Sequence, residues 1–134
     1  MGKLSNGLVG MKNTEKSTLI IGASLNEERY SYKAFYKLRA ANHPVYALGF
    51  REGMLEDTPI FTEHQTAWDG VDTVTLYLGP ARQEPYLQYL LNLKPRRVIF
   101  NPGTENEGFE KRLQEAGIKT QQACTLVLLA TNQY

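Results

Sequence analysis

The sequence predicts a doubly wound α/β sheet, on three observations. Short runs rich in β-branched and aromatic residues recur along the chain, and stretches with apolar residues at helical spacing separate them. Glycine, proline and polar clusters mark the junctions. The length, 134 residues, suits one domain with a real core and leaves no room for two ordinary ones.

The first strand is expected at Thr18 to Ile21, a β-branched and leucine run between polar flanks, as in a strand buried on both faces. From Ser31, two sets of side chains recur at helical spacing: Tyr32, Phe35 and Leu38, and Ala34, Leu38 and Ala41. They predict an amphipathic helix ending near Asn42. "HPVYALGF" supplies a second strand over Val45 to Leu48, with Pro44 suited to its entrance. A polar loop from Glu52 to Thr58 leads to "PIFT", a short third strand, and "HQTAWDGVD" reads as a brief helix or turn.

"DTVTLYL" predicts a fourth strand over Asp72 to Leu78. In "GPARQEPYLQYLLNL", Pro80 fits a first helical turn and Leu87, Leu90 and Leu91 form one stripe, so a helix follows at once, with Pro85 near its first turn if it begins late. "RRVIF" is the fifth strand. Thr104 and Glu107 match a capping box, Phe109, Leu113 and Ala116 form a stripe, and Gly117 marks the helix end. "IKTQQA" reads as a polar sixth strand at a sheet edge, and "CTLVLLATNQY" as a short closing helix. Strands alternating with helices imply βαβ units, hence a parallel sheet in a three-layer α/β/α arrangement of Rossmann type. Residues 17–134 form this domain, and residues 1–16 read as a flexible lead-in within which Met11 is an alternative start.

In such sheets a ligand lies beyond the C-terminal ends of the strands, where the strand order reverses. The loops after strands one and four become the lips of the expected crevice. At the first lip Gly22, Ala23 and Ser24 are small enough for a phosphate to approach the backbone, Ser31 can cap the helix, and Arg29 adds a fixed charge. A tight turn with ordinary caps explains the same residues equally well. After Gly22 the next glycine is Gly49, so the full dinucleotide fingerprint is absent and "SLNEERYS" makes a longer loop before the helix. Strand two ends in "ALGFRE", without the carboxylate that holds ribose hydroxyls; Glu52 lies too far along. Arg51 suits a ribose phosphate or a solvated loop.

Four segments together resemble a known family: "IIGASLNEERYSYKAFYKL", "HPVYALGF", "VDTVTLYLGP" and "NPGTENEGFEKRLQEAGIKTQQAC". From about Lys16 to Ala130 the chain is similar to the small stand-alone CoA-binding proteins and to the N-terminal CoA-binding domain of the succinyl-CoA synthetase alpha subunit. The resemblance implies that Gly22, Ala23, Ser24, Arg29 and Ser31 meet phosphates and that Tyr32 shapes the pocket wall. It implies that Leu48, Gly49 and Phe50 border the adenosine, that Leu78, Gly79 and Pro80 line the opposite lip, and that Asn101, Pro102 and Gly103 lie nearby. Lys33, Arg51 and Arg82 are candidate secondary charges. The reading is a non-catalytic or regulatory module for CoA or an acyl-CoA. An NAD(P)-binding enzyme or redox sensor is the alternative; a third is a homodimerisation or partner-protein module with an empty crevice.

Other functions find little support. The net charge of +1 draws in no nucleic acid, and Trp68 and the tyrosines of the first helix are expected in the core or at an oligomer contact. Cys124 is the only cysteine, which excludes an intrachain disulfide and a zinc site of cysteine pairs, and points to a reducing compartment. His43 and His64 have no partners at ligand spacing, so no metal is expected; His43 reads as a surface or capping residue. Glu27 and Glu28 must point outwards if an anion binds, and Asp69 and Asp72 read as turn and strand-boundary residues. No apolar run approaches the roughly 20 residues of a membrane span, and the cytoplasm is the expected location.

Overall fold

The computed structural model describes residues 15–134; most of the lead-in, residues 1–14, lies outside them. Seven strands form one sheet: β1 (Thr18–Ala23), β2 (Val45–Gly49), β3 (Gly53–Leu55), β4 (Thr58–Phe61), β5 (Thr73–Leu76), β6 (Arg97–Phe100) and β7 (Lys119–Gln122). Four α-helices accompany them: α1 (Tyr30–Ala40), α2 (Leu87–Leu93), α3 (Glu107–Glu115) and α4 (Thr125–Ala130). The strand order is β3-β4-β2-β1-β5-β6-β7, and every pair is parallel except β3 with β4. The order reverses at β1, so the Rossmann-like doubly wound fold is the observed one. Among the described residues no helix is long and apolar enough to cross a membrane.

β1 is central because its side chains can be buried on both sides. Leu19 and Ile21 face α2 and α3 in a cluster with Leu48, Val74, Leu76, Leu90, Val98, Phe100, Phe109 and Leu113. Ile20 faces the opposite layer with Phe35, Leu38, Ala47 and Ile60, and α4 packs beside α1 there through Leu129. Each fully buried aliphatic or aromatic side chain contributes about 1.5–3 kcal/mol. The exposed pair Arg39–Asp57, 2.7 Å apart, contributes less than about 1 kcal/mol. The two apolar layers decide the fold.

Caps end the helices where turn chemistry requires. At the end of α3 the Ile118 N–H donates to the Leu113 carbonyl and the Gly117 N–H to that of Gln114, with Gly117 at φ +85°. α1 ends the same way with Asn42 at φ +68°, its N–H donating to Arg39 and that of His43 to Leu38. The start of α3 differs from the expected capping box: Asn106 is the cap, its Oδ1 accepting from the Phe109 N–H while its own N–H donates to Glu110. Thr104 instead turns its hydroxyl back to the Asn101 carbonyl.

The β3–β4 hairpin is not expected from the sequence, and two further segments resolve alternatives that the sequence leaves open. The loop before the third strand contains β3, which pairs antiparallel with β4 through a tight turn at Glu56 and Asp57. The segment "HQTAWDGVD" takes the turn rather than the helix: the Gly70 N–H donates to the Trp68 carbonyl with Gly70 at φ +62°, Trp68 stacks on Tyr46 at 5.3 Å, and His64 lies against Tyr86 and Tyr89. The stretch after β5 is two short 3-10 turns, Pro80–Arg82 and Glu84–Tyr86, and α2 begins late, at Leu87, because Pro80 and Pro85, each in the first positions of a turn, supply no N–H to a continuous helix. β7 is an edge strand, as its polar side chains require.

His43 is buried rather than at the surface. Its Nδ1 accepts from the Lys16 N–H at 2.9 Å, its ring lies 4.9 Å from that of Tyr134, and burial, aided by the Lys16 charge, lowers its pKa below the usual 6.5. Below pH 6.5 the unfolded chain therefore binds a proton that the folded chain resists, so stability falls as pH drops from there. Urea midpoints measured between pH 8 and pH 5 should show this fall, and His43→Asn should flatten it. A second expectation concerns Gly49, where a Cβ would stand 2.4 Å from the Ala23 carbonyl oxygen. Gly49→Ala should cost about 2–3 kcal/mol in denaturant unfolding, since the contact is backbone and cannot yield.

Candidate functional site

The crevice lies over the C-terminal end of β1, between the ends of β2 and β5. Its lining is Gly22, Ala23, Ser24, Leu25, Asn26, Arg29, Phe50, Arg51, Glu52, Tyr77, Leu78, Gly79 and Arg82, and its volume is about 880 Å³. That is within the range of small-molecule sites, roughly 300–1,000 Å³.

Gly22 makes the floor possible. It sits at φ +97°, the register of β1 against β2 shifts between Ile21 and Ala23, and a Cβ there would meet the Tyr77 carbonyl oxygen at 3.0 Å. The Tyr77 N–H donates to the Ile21 carbonyl at 2.8 Å and draws the two lips together. Beyond it the chain forms a self-braced turn. The Ser24 hydroxyl accepts from the Asn26 N–H, the Asn26 side-chain carbonyl accepts from the Glu28 N–H, and the Arg29 N–H donates to the Asn26 carbonyl. Arg29 then stands at the N-cap of α1, which has no side-chain cap. Backbone donors and a guanidinium thus share one rim.

The electrostatics are one-sided. Arg29, Arg51 and Arg82 line the crevice against the single carboxylate of Glu52. None of the three arginines takes part in an ion pair among the described residues, whose pairs are Arg39–Asp57, Arg96–Asp72 and Arg112–Glu84. Glu27 and Glu28 are exposed and outside the lining. Arg82 rests on the Phe50 ring, 5.0 Å from its centroid. Burial pushes the Tyr77 phenol up to about 12, so it stays neutral at physiological pH. The lining offers positive charge, backbone donors and two apolar edges, Leu25 and Phe50; it contains no histidine and no cysteine.

Of the residues singled out from sequence, the crevice brings together Gly22, Ala23, Ser24, Arg29, Phe50, Leu78 and Gly79, with Arg51 and Arg82 among the secondary charges. The others lie elsewhere. Ser31 is not the cap, because α1 starts at Tyr30 and encloses it in its buried first turn. Tyr32 packs on Tyr36 at 4.9 Å in the layer of α1 and α4, Leu48 is core, and Gly49 sits beneath Ala23. Pro80 is exposed at the start of its 3-10 turn, and Lys33 lies over the Tyr30 ring.

Asn101, Pro102 and Gly103 follow β6, one strand farther from the reversal point than β5, and stay outside the lining. Asn101 is buried instead as a tie between elements. Its amide donates to the Thr75 hydroxyl and the Leu76 carbonyl, and its oxygen accepts from the Thr125 N–H. Gln83, which sequence reasoning passed over, does similar work at the lip: its Nε2 donates to the Leu78 and Thr104 carbonyls. Leu25, Asn26 and Tyr77 were also missed as lining residues; the "SLN" turn chemistry was the available signal for the first two. Cys124 is half-buried at the N-cap of α4, and among the described residues no cluster could hold a metal ion.

Known proteins resemble this chain over most of its length. The family model described as "CoA binding domain" matches residues 16–130. The crystal structure of an uncharacterized protein is 43% identical with a TM-score of 0.86, the match covering 90% of this chain and 98% of that one. Cell-free ID.343 from Thermus thermophilus, 22% identical, superposes with a TM-score of 0.81 over 95% of this chain and 96% of its own. An acetyl-coenzyme A synthetase from Ca. Korarchaeum cryptofilum is 14% identical, with a TM-score of 0.67 over 84% of this chain and 26% of that chain; it shares the fold. No curated protein matches.

Asn101→Ala should lower stability by about 2–3 kcal/mol, because three buried partners lose their hydrogen bonds together. Denaturant unfolding checks this; an unchanged midpoint would remove Asn101 from its structural role.

Proposed function

Because the chain belongs to the CoA-binding domain family, we propose that the crevice over β1 is the seat of CoA or an acyl-CoA, which the protein binds without transforming. The observation that carries the reading is the excess of unpaired guanidinium groups, Arg29, Arg51 and Arg82, over one carboxylate on the lips of the strand-order reversal. Such a charge excess at a reversal point suits a ligand with several phosphates.

The fit extends to the backbone. Small residues at Gly22, Ala23 and Ser24 leave the main chain open to a pyrophosphate, and Arg29 supplies the fixed charge at the same rim. Phe50, at the end of β2, offers an apolar face to an adenine, and Leu78 and Gly79 form the facing lip. Ser31, Tyr32, Leu48, Gly49, Pro80, Asn101, Pro102 and Gly103 stand outside the crevice lining. A lining without histidine or cysteine suits holding and releasing a ligand, as a regulatory module does.

One observation favours a second reading. Glu52 lines the crevice beside Arg51 just past β2, where a carboxylate can hold ribose hydroxyls and an arginine a ribose phosphate. That pattern suits NAD or NADP.

Isothermal titration with CoA, NAD and NADP at one salt concentration separates the readings. CoA alone should bind saturably; binding of NAD or NADP alone sinks the proposal, and binding of none leaves the crevice to an interaction role. Arg29→Ala should weaken CoA binding about tenfold, the low end for a charge-assisted hydrogen bond at an exposed site, without changing the unfolding midpoint.

A further inference from the structure

One contact spans the crevice. β2 and β5 lie on opposite sides of β1 in the sheet, yet Phe50, just past β2, meets Arg82, in the turn after β5, with the guanidinium 5.0 Å from the ring centroid. The two side chains therefore meet over the end of β1. Phe50 remains 59% exposed, and Arg82 has no carboxylate among the described ion pairs. Only the ring quadrupole holds them together, and in water that attraction is weak.

Both residues share the lining with the Gly22–Ser24 corner and Arg29. A phosphate entering there offers Arg82 a charge-assisted, bidentate contact, which outweighs an exposed cation–π contact. The displacement has a second consequence. Once the guanidinium leaves, a face of the Phe50 ring is bare, and a planar base can stack on it.

We propose that Arg82 is a switching residue: in the free protein it covers Phe50, and on binding it moves to a ligand phosphate and exposes the ring for the base. The identity of the ligand rests on the CoA reading; the switch requires only phosphate joined to a planar base. Phe50 thus opposes binding of phosphate alone and favours binding of phosphate plus base. A fixed charge beside an apolar wall has no such double sign.

Inorganic pyrophosphate and CoA distinguish the two, titrated against the wild type, Phe50→Ala, Phe50→Leu and Arg82→Ala at one salt concentration. Phe50 and Arg82 are exposed, so the variants keep the fold, and their unfolding midpoints verify it. Phe50→Ala and Phe50→Leu should tighten pyrophosphate binding about threefold by freeing Arg82, whereas Arg82→Ala should weaken it about tenfold. The ratio of CoA affinity to pyrophosphate affinity should fall at least about fivefold in both Phe50 variants, as stacking is lost. If the Phe50 variants leave pyrophosphate binding unchanged or weaker while the wild type binds CoA, the switch is wrong and the CoA reading stands. If the pyrophosphate pattern appears but no CoA binds, the exchange of Phe50 for phosphate by Arg82 stands, while the stacking step and the CoA reading both fall. Absence of pyrophosphate binding in every variant overturns the switch.

Discussion

Close contact of backbone with backbone at the C-terminal ends of β1, β2 and β5 is the constraint on which the crevice depends. A Cβ at Gly49 would stand 2.4 Å from the Ala23 carbonyl oxygen, which admits no side chain, and one at Gly22 would crowd the Tyr77 carbonyl oxygen at 3.0 Å on a backbone whose φ of +97° already disfavours it. Strands at their ordinary spacing would leave this end filled by alternating side chains. Here two glycines clear it, and the positive φ of Gly22 turns the chain out of the sheet before the helix begins. The floor of the site at Gly22 is therefore main chain. Side chains are confined to the rim.

That division explains the charge pattern. Three arginines on a rim raise the local potential only if nothing neutralises them, and the ion pairs of the described chain lie elsewhere: Arg39 serves the β3–β4 hairpin, Arg96 the start of β5, and Arg112 the turn after β5. Exposed arginines without partners cost the fold little, because water solvates them. On the proposed CoA reading they acquire a role when a phosphate displaces that water. The stability of the fold and the capacity of the site thus reside in different residues, the first in the two apolar layers about β1 and the second in the rim.

Most of the fold was legible in the sequence, since apolar periodicity reports burial and burial dominates the energetics. The fully buried "TLII" reads as a central strand, and the polar "KTQQ" reads as an edge. The misread elements were those set by single hydrogen bonds. A hairpin turn at Glu56–Asp57 carries no glycine signal, and Asn106, the cap of α3, is braced by Gln83, 23 residues earlier in the chain, as well as by Glu110 of its own helix. Tertiary partners of this kind leave no local trace. In the crevice, the grouping of Gly22, Ala23, Ser24 and Arg29 at the end of β1 was legible from their order before the helix, although the same residues suit an ordinary tight turn. Tyr77 was not, since it contributes through main chain at a strand end, where any residue would serve.

Asn101 shows where reasoning by resemblance and reasoning by geometry part. Its position after β6 places it at the correct end of the sheet, and an amide there is suited to a ligand. Yet three of its hydrogen-bonding positions are already occupied by Thr75, Leu76 and Thr125, and a group so engaged has little left to offer a visitor. Arg82 is the opposite case. Its guanidinium rests on Phe50 and joins none of the described ion pairs, and a contact of that kind is weak enough to be exchanged for a phosphate. A residue's capacity to bind depends on what it must give up as well as on where it stands. By that measure the rim arginines, which have least to lose, are the groups that a polyanionic ligand would engage first.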